Sequence, residues 1–398
     1  GGGGKVYVDD VFSTFLYEGN GGTQSINNGI DLAGEGGLVW MKRRGGTDSH
    51  ILMDTLRPNK KLSSNLSAAE VNTTTTITSF NANGFSLGNP SQSGVNDSGE
   101  DIVSWTFRKQ KGFFDVVTWS GNSTSGRTIA HNLGSVPGMI IVKSTSHTEP
   151  WAVWHRTLTA GDTLRLNETD AQATNTGWFT TTQPTSSVFS VGSSTETNAT
   201  NYNYVAYIFA HDDASFGTDS DESIIKCGSY TGTNAENIIN VGFEPQYFFI
   251  KRTDSAGLWM CWDFMRGAAN NSTNQPSLYF TSADPESPFG QAYVHQNGFA
   301  FHNSDTDFNV SGGTYIYMAI RRPNKPPEAG TDVFAIDTRG GTSPTPPTFN
   351  SGFPVDLVTR RSISQEDWTT RTRLLGDTRL LQFNTTAAES SQTSSTVT

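Results

Sequence analysis

The sequence predicts an all-β protein, and three observations support this prediction. Only 16% of the 398 residues are charged, and helices favour Glu, Lys, Ala and Leu over the Thr, Ser, Asn and Gly that are abundant here. Aromatic residues make up 11% of the chain, which gives enough apolar area to build an ordered core. Segments that alternate apolar and polar residues recur between glycine-rich turns, as strands do.

A repeat of about 100 residues organises the chain. Its clearest part is an apolar run closed by a basic residue, then a polar turn and a tryptophan, as from Pro137 to Trp154. The pattern recurs from Pro245 to Trp262, with a weaker copy from Pro354 to Trp368 and a relative from Leu38 to Ile51. The basic residues that close the runs are Lys42, Lys143, Lys251 and Arg360. This spacing is the size of a domain and exceeds the repeat length of ordinary solenoids.

The repeat divides the chain into units, which are numbered here in chain order. A glycine-rich segment, 1–10, precedes unit 1 (11–109), unit 2 (113–212), unit 3 (224–322) and an incomplete unit 4 (332–398). Roughly six to eight short strands per complete unit predict a β-sandwich of the jelly-roll or concanavalin-like kind. The linkers are polar or proline-rich, so we expect separate sandwich domains arranged like beads on a string.

Within each unit the elements follow one order. The first strand ends at a glycine, for which we expect the positive φ of a tight turn. These glycines are Gly19, Gly121, Gly232 and Gly340. The central apolar run and the tryptophan segment come next and predict a strand pair. An asparagine, Asn65, Asn167 or Asn384, then marks a turn that its own side chain can initiate.

Each complete unit closes with two further strands. The first contains a phenylalanine, Phe85, Phe189 or Phe299. The second is long and alternating, and ends at Phe107, Phe209 or Ile320. Such alternation predicts a strand with one buried face. Unit 4 stops after its asparagine turn, so either this chain is a piece of a longer one or a partner chain completes the unit.

Composition excludes several functional classes. The net charge of −11 disfavours a nucleic-acid groove, which needs a cationic face. The sequence has no apolar run of 18 residues, so we expect no membrane insertion. Cys227 and Cys261 are too few for a disulfide framework and lie in apolar runs, which predicts buried thiols. No phosphate-binding loop is present, so no cofactor is expected.

The candidate catalytic motifs are weak. The segment from Gly84 to Gly88 matches the G-x-S-x-G pattern of a hydrolase, but no helix is predicted after it, so Ser86 is interpreted as the outward residue of a strand. The seven histidines lack the spacing of a zinc site, and the carboxylates of linker 211–223 lack the spacing of a calcium loop. The sequence therefore predicts no catalytic or metal site, and no enzyme.

The tryptophans raise the question of sugar binding. Trp151, Trp259 and Trp368 recur at one position, which favours a core role, and Trp154 and Trp262 follow three residues later, on the opposite strand face. Trp178 lies in a polar loop, so it is either a core residue or an exposed platform for a sugar ring. It is the one weak candidate for glycan binding.

Several segments resemble a repeat family of virion structural and tail-fibre proteins from tailed bacteriophages, especially marine ones. They include DDVFSTFLYEG, SFNANGFSLG, SWTFRKQKGFFDVVTWSG, HNLGSVPGMIIVK and GFEPQYFFIKRTDSAG, and they cover units 1 to 3 almost completely. Unit 4 departs most, with Arg360 in place of lysine. The family has a lectin-like β-sandwich character, and the resemblance implies a place on the virion rather than a reaction.

These observations lead to a functional expectation. We expect a tail-fibre or tail-associated protein on the outside of the virion that contributes to host attachment. The alternatives are a capsid decoration or head-fibre protein, and a glycan-binding adhesin module. Expected partners are other virion proteins, further copies of the chain (a trimer by analogy with fibres) and a host-surface glycan.

Overall fold

The computed structural model describes residues 5–89, 94–268, 275–338, 351, 353, 355–361, 367–373 and 379–391. Strands hold 44% of the residues and helices 2%, so the predicted all-β class is confirmed. The sheets are separate and antiparallel, as tandem β-sandwiches require. In the described part of the chain, no helix has the length and apolar character needed to cross a membrane.

Unit 1 consists of two facing sheets. Its strands are β1 (Phe12–Glu18), β2 (Gln24–Asn27), β3 (Gly37–Arg43), β4 (Ile51–Asp54), β5 (Lys60–Lys61), β6 (Val71–Asn72), β7 (Ile77–Asn81), β8 (Gly84–Leu87) and β9 (Asp101–Arg108). The large sheet has the order β1-β9-β3-β4 and the small sheet β2-β8-β7, while β5 and β6 form a hairpin. A cluster of buried residues that includes Val39, Met41 and Phe85 lies between the two sheets.

Unit 2 repeats this arrangement. Its strands are β10 (Phe114–Ser120), β11 (Arg127–Ala130), β12 (Pro137–Ser144), β13 (Ala152–His155), β14 (Asp162–Arg165), β15 (Ala173–Thr174), β16 (Val188–Val191) and β17 (Asn203–Ala210). The large sheet has the order β10-β17-β12-β13-β14-β15, and β11 pairs with β16 in the small one. A hairpin of β18 (Ala214–Phe216) and β19 (Glu222–Ser223) follows, where the sequence predicts only an acidic linker.

Unit 3 has the same plan, and unit 4 has part of it. The strands of unit 3 are β20 (Ile225–Thr231), β21 (Asn237–Asn240), β22 (Pro245–Arg252), β23 (Trp259–Asp263), β24 (Gln275–Tyr279), β25 (Ser287–Gly290), β26 (Ala292–His295), β27 (Gly298–Phe301) and β28 (Thr314–Arg321). Its sheets have the orders β20-β28-β22-β23-β24-β25 and β21-β27-β26. The four-stranded sheet of unit 4 contains β29 (Leu357–Arg360), β30 (Thr369–Thr372), β31 (Arg379–Gln382) and β32 (Ser390–Ser391).

The large sheets are buried on both faces, which corrects the prediction of one buried face. In β22, Phe248 and Ile250 face the small sheet of unit 3, whereas Tyr247 and Phe249 belong to a second cluster shared by units 1, 2 and 3. All eight residues of β12 are buried. A strand covered on both faces carries a continuous apolar run, which explains the runs that end at the recurring lysines.

The shared cluster exists because units 1, 2 and 3 close into a ring rather than follow one another like beads. A ring N–H at the start of β4, β13 or β23 donates to a backbone carbonyl of the preceding unit, and unit 3 precedes unit 1. The donor–acceptor pairs are His50 Nε2 to Tyr279 O (2.9 Å), Trp151 Nε1 to Ser63 O (3.0 Å) and Trp259 Nε1 to Arg165 O (2.8 Å). The ring has approximate threefold symmetry, because the three acceptors occupy equivalent places in the hairpins that follow β4, β13 and β23.

A second set of bonds repeats the same symmetry. Each is a backbone bond from the loop after the β4–β5, β13–β14 or β23–β24 strand pair to the residue two places beyond the buried lysine of the next unit. The pairs are Glu70 N to Thr145 O (2.9 Å), Gln172 N to Thr253 O (2.8 Å) and Glu286 N to Arg44 O (2.7 Å). Aromatic rings also meet across the boundaries, as Trp105 does with Tyr247 at 5.5 Å between centroids. The three units therefore form one body.

The N-terminal segment is bonded to the segment that follows unit 3, where the chain leaves the ring. Helix α1 (Val8–Val11) has two buried valines, although the sequence assigns residues 1–10 to a glycine-rich extension. The backbone N–H of Val8 donates to Asn324 Oδ1 (2.9 Å), and Asn324 N donates back to Asp9 Oδ2 (3.0 Å). The start of unit 1 is thus bonded to the segment that follows unit 3.

The recurring turn glycines serve a purpose other than the predicted one. Gly19, Gly121 and Gly232 do not have positive φ. A Cβ on any of them would overlap a backbone carbonyl oxygen, that of Asp97 in the case of Gly19. Close backbone approach therefore excludes a side chain there. Gly340 lies outside the described residues.

Unit 4 differs from its predicted form at its start. Residues 333–338 are exposed and not in a strand, although the sequence predicts the first strand of the unit there. In units 1 to 3 that strand pairs with the last strand of the same unit, as β1 pairs with β9. The described residues of unit 4 include no counterpart of that last strand. The preceding 3₁₀ turn, η1 (Gly330–Asp332), ends the linker.

The ring predicts unequal costs for two tryptophan substitutions in unit 2. Trp151→Phe removes an N–H that reaches Ser63 O and Leu66 O, both at 3.0 Å, and leaves these carbonyls of unit 1 without that donor. We expect it to lower the free energy of unfolding by about 1–3 kcal/mol more than Trp154→Phe, which changes a similar volume. Urea denaturation followed by far-UV circular dichroism measures both. Equal losses would contradict the bonded interface.

Candidate functional site

The recurring tryptophans of the complete units are core residues, as predicted. Trp151 and Trp259 are fully buried. Trp259 faces the cluster shared by the three units, and Trp262 faces the cluster between the sheets of unit 3, so the predicted opposite orientation holds there. Trp368, at the same position in unit 4, is 42% exposed. The recurring aromatic position is therefore part of the unit interface, and only unit 4 leaves it open.

Trp178 does not offer the sugar platform that the sequence allows. Its side chain is only 2% exposed and belongs to the shared cluster. The guanidinium carbon of Arg165 lies 5.3 Å from the centre of its ring. A sugar stacks on an aromatic ring only where one face is open to solvent. Of the two alternatives for Trp178, the structure supports the core residue.

The geometry of Ser86 is that of a strand residue. It lies in β8 between β2 and β7, with its hydroxyl 3.1 Å from Ser25 Oγ and 2.9 Å from the amide nitrogen of Asn81. Neither partner is a general base, and a nucleophilic serine needs one within hydrogen-bond reach. Among the described residues, no three His, Cys, Asp or Glu side chains are grouped closely enough to hold a metal ion. Cys227 and Cys261 are buried free thiols, as predicted.

The recurring asparagine acts across the hairpin rather than on its own turn. Asn167 Oδ1 accepts a hydrogen bond from the backbone N–H of Trp151 at 2.9 Å. Asn65 does the same for His50 at 3.2 Å. The side chain thus satisfies the backbone of the aromatic residue that forms the unit interface, and this fixes where the ring points.

Sequence reasoning missed that the recurring lysines are buried. Lys42, Lys143 and Lys251 are completely covered. Each ammonium donates to the carbonyl of the next residue and to a second backbone carbonyl. For Lys42 these are Arg43 O (2.7 Å) and Gly46 O (2.9 Å), whereas the second acceptor of Lys251 is Thr169 O of unit 2 (3.1 Å). Burial lowers the pKa of all three to about 8. Their recurrence at the end of an apolar run was the signal that could have identified them as structural.

Two of the three units contain a buried Asp–Arg–Glu group at the interface. In unit 3, Arg266 contacts Asp263 (2.6 Å) and Glu286 (3.4 Å), and Asp263 also accepts from Trp105 Nε1 of unit 1 (3.0 Å). In unit 1 the equivalent residues are Asp54, Arg57 and Glu70, and Asp54 accepts from Tyr207 of unit 2. In unit 2 all three positions hold residues without a fixed charge. They are His155, Leu158 and Gln172.

Two buried histidines complete the interface in neutral form. His155 Nε2 donates to Tyr317 O of unit 3 (3.1 Å), which leaves Nδ1 to accept from the Thr157 hydroxyl (2.9 Å). His50 Nε2 donates to Tyr279 O, so its Nδ1 accepts from Trp40 Nε1 at 2.9 Å. A carbonyl oxygen can only accept, which fixes the tautomer of both rings. Burial lowers the pKa of His50 and of His155 to about 3.

A stacked pair of rings lies on the surface of unit 2 and is not required by the fold. The rings of His147 and Tyr202 stack face to face, with 3.6 Å between centroids and 8° between planes. Tyr202 packs against the shared cluster, and His147 is exposed. The face of the imidazole that points away from Tyr202 is therefore open. Ser146 Oγ lies 2.8 Å from His147 Nδ1 and accepts from Asn203 N at 2.9 Å, which holds the imidazole in place. This pair is called the aromatic platform below.

The aromatic platform is specific to unit 2. The residue four places after the recurring lysine is His147 in unit 2, but Gly46 in unit 1 and Ser255 in unit 3. The residue before the last strand is Tyr202 in unit 2, but Glu100 in unit 1 and Gly313 in unit 3. The fold therefore tolerates small residues at both positions. A comparison of the units could have found this difference in the sequence.

A family model described as a domain of unknown function, DUF7483, matches residues 8–323. The chain belongs to the DUF7483 family. The matched range begins with helix α1 and ends just after β28, so the family domain coincides with the three-unit ring and not with a single repeat. No curated protein is a significant match to the chain. The family description gives no activity, so the resemblance to bacteriophage proteins stays a prediction.

The neutral histidines predict a loss of stability in acid. Their pKa in the folded state lies below the value of about 6.5 expected for the unfolded chain, so the unfolded state binds more protons as pH falls below that value. The stabilising effect of neutral His155 is complete above pH ~6.5 and decreases toward its folded-state pKa of about 3. We expect His155→Gln to reduce the slope of unfolding free energy against pH by about 1.4 kcal/mol per unit between pH 6 and 4.

A matched control separates titration from packing. Thr157→Val removes the hydroxyl that bonds His155 Nδ1 but keeps the histidine. We expect this variant to be less stable than the parent by a similar amount at every pH, with an unchanged slope. Urea titrations at half-unit pH steps measure both variants. A His155→Gln slope parallel to that of the parent would refute the assignment.

Proposed function

We propose that this protein is a non-enzymatic structural protein of a bacteriophage virion, most consistent with a tail fibre or tail-associated protein that contributes to host attachment. The observation that carries the proposal is the closed ring. Three repeats are locked together by the same bonds at each boundary, and the chain then continues into a further unit of the same type. An extended projection is built from rigid bodies joined in series, and the ring followed by unit 4 is the start of such a series.

The segments that resemble phage virion proteins lie inside this ring. GFEPQYFFIKRTDSAG, for example, contains β22, which contributes to both clusters of unit 3. The resemblance therefore concerns the residues that build the architecture. It supports a common structural role and does not depend on a catalytic site, since a fold alone does not define a reaction.

The location on the virion has a direct test. Virions of a phage that encodes this chain can be labelled with a gold-conjugated antibody against the DUF7483 ring and imaged by electron microscopy. We expect label along or at the end of the tail. Label on the capsid surface would favour the alternative role of a decoration or head-fibre protein. Intact virions without external label would contradict both locations.

The aromatic platform favours glycan binding as a second candidate function. An open aromatic face stacks on the C–H face of a sugar ring, and polar side chains around it bind the hydroxyl groups. The platform is held rigid by Ser146 and Asn203, which lowers the entropy cost of binding. Its restriction to unit 2 separates it from residues that every copy of the fold needs.

Glycan binding can be tested with residues taken from unit 3. The double variant His147→Ser and Tyr202→Gly installs the residues of Ser255 and Gly313, which the same fold already accommodates. On a glycan array we expect the parent to bind at least one neutral glycan. The double variant should lose about fivefold in affinity, because the one open ring face contributes on the order of 1 kcal/mol.

The control for this experiment is Phe334→Ala. Phe334 is 66% exposed and lies at the start of unit 4, whereas the aromatic platform belongs to unit 2. Its substitution should leave glycan binding unchanged. An array on which the parent binds nothing, or binding that survives in the double variant, would exclude the platform as a glycan site.

A further inference from the structure

The hairpin of β30 and β31 in unit 4 has the same two internal hydrogen bonds as the hairpin of β13 and β14, which forms a unit interface in the ring. Trp368 N donates to Asn384 Oδ1 at 2.9 Å, as Trp151 N does to Asn167 Oδ1 at 2.9 Å. Phe383 N donates to Trp368 O at 3.2 Å, as Leu166 N does to Trp151 O at 3.2 Å. The hairpin is therefore in the conformation that joins one unit to another.

The two hairpins differ in how far neighbouring units bury their apolar side chains. Trp151 and Leu166 are fully buried, because unit 1 lies over one and the shared cluster encloses the other. At the same positions in unit 4, Trp368 is 42% and Phe383 is 65% exposed. In the described part of the chain, no acceptor is bonded to the Trp368 indole N–H. The guanidinium carbon of Arg361 lies 5.6 Å from the centre of the Trp368 ring and covers part of it. Two large apolar side chains thus remain partly open, with one donor, on a surface that is an interface elsewhere in the molecule.

The ring of the same chain cannot supply the missing neighbour. By the order of the repeat, the acceptor for unit 4 would be the carbonyl of Tyr279 in unit 3. That carbonyl already accepts from His50 Nε2 of unit 1 at 2.9 Å. The ring is closed with three units, so unit 4 remains outside it.

A second copy of the chain carries the matching acceptor. In units 2 and 3 the acceptor carbonyl belongs to the residue paired with the position after the tryptophan, Arg165 with Ala152 and Tyr279 with Met260. In unit 4 that residue is Gln382, which pairs with Thr369. Each copy of unit 4 therefore presents both a donor and an acceptor of the ring contact, so contacts between copies run head to tail.

The geometry of the ring fixes how many copies such a contact joins. A head-to-tail contact gives a closed assembly only if its rotation completes a circle. The same contact between units 1, 2 and 3 closes after three. We propose that unit 4 joins three copies of this chain into a homotrimer, in which Trp368 of each copy donates its indole N–H to Gln382 O of the next. This inference goes beyond the proposed function, because it holds for any role of the protein.

Ion pairs fix the sheet of unit 4 to unit 3 before this contact forms. Asp356 binds Arg322 (3.1 Å) and Arg373 (2.7 Å), and Arg322 also binds Glu244 of unit 3 (3.3 Å). This group links the sheet of unit 4 to the end of β28. A surface that is fixed before association loses less conformational entropy when a partner covers it.

The oligomeric mass of the full chain tests the proposal. By size-exclusion chromatography with light scattering at about 50 µM, we expect three times the 43.1 kDa mass of one chain. Trp368→Glu places a charge in the contact and should raise the concentration for half-dissociation by about tenfold or more. Trp368→His should remain trimeric, because His50 makes the same contact in unit 1.

The control is Ile238→Glu, which adds a charge at a side chain that is 49% exposed on β21 of unit 3. It should leave the trimer intact, and far-UV circular dichroism should show that all variants retain their strands. A parent of single-chain mass would overturn the proposal, as would a trimer that is insensitive to Trp368→Glu. Failure here would leave the virion location untouched, because antibody labelling tests that independently.

Discussion

Each large sheet has a second apolar face that must be covered, and this requirement explains why the three units form a ring. A small sheet of two or three strands covers one face of each large sheet. The other face presents aromatic side chains such as Trp105 and Tyr247, which no element of their own unit covers. Three such faces turned toward a common axis cover one another, and this removes their apolar area from water. The ring is therefore a body in which both faces of the large sheets are covered.

Closing the ring buries polar backbone groups, and the molecule satisfies them with one repeated solution. An indole or imidazole N–H reaches across each boundary to a carbonyl at the equivalent place in the neighbouring hairpin. At the ends of β4 and β23 a buried Asp–Arg pair faces the neighbouring unit, while at the end of β13 neutral His155 does so. In unit 2 the Asp, Arg and Glu positions are all neutral. This is consistent with the rule that a buried charge is destabilising when its partner is absent, so the charged residues are kept or replaced together.

Internal symmetry separates structural from functional residues in this protein. Residues that recur in units 1, 2 and 3, such as the buried lysines and the interface aromatics, are explained by the architecture of the ring. The aromatic platform of unit 2 and the open hairpin of unit 4 depart from the symmetry, one by an added feature and the other by a missing neighbour. These two departures are where interactions with other molecules are expected, because the fold itself gives no reason for them.

Apolar periodicity and turn residues are local properties of a chain, so they were enough to predict the all-β class and the repeat. They also predicted that the recurring tryptophans of units 2 and 3 are buried. The ring, the covered Trp178 and the reason for Gly19 depend on the tertiary structure and could not be predicted. Each depends on what lies opposite a residue, and the periodicity of a strand shows that a face is apolar without showing which surface covers it. The tryptophan position makes the same point: Trp151 and Trp368 have the same local bonds, and only the presence of a neighbouring unit buries one and exposes the other.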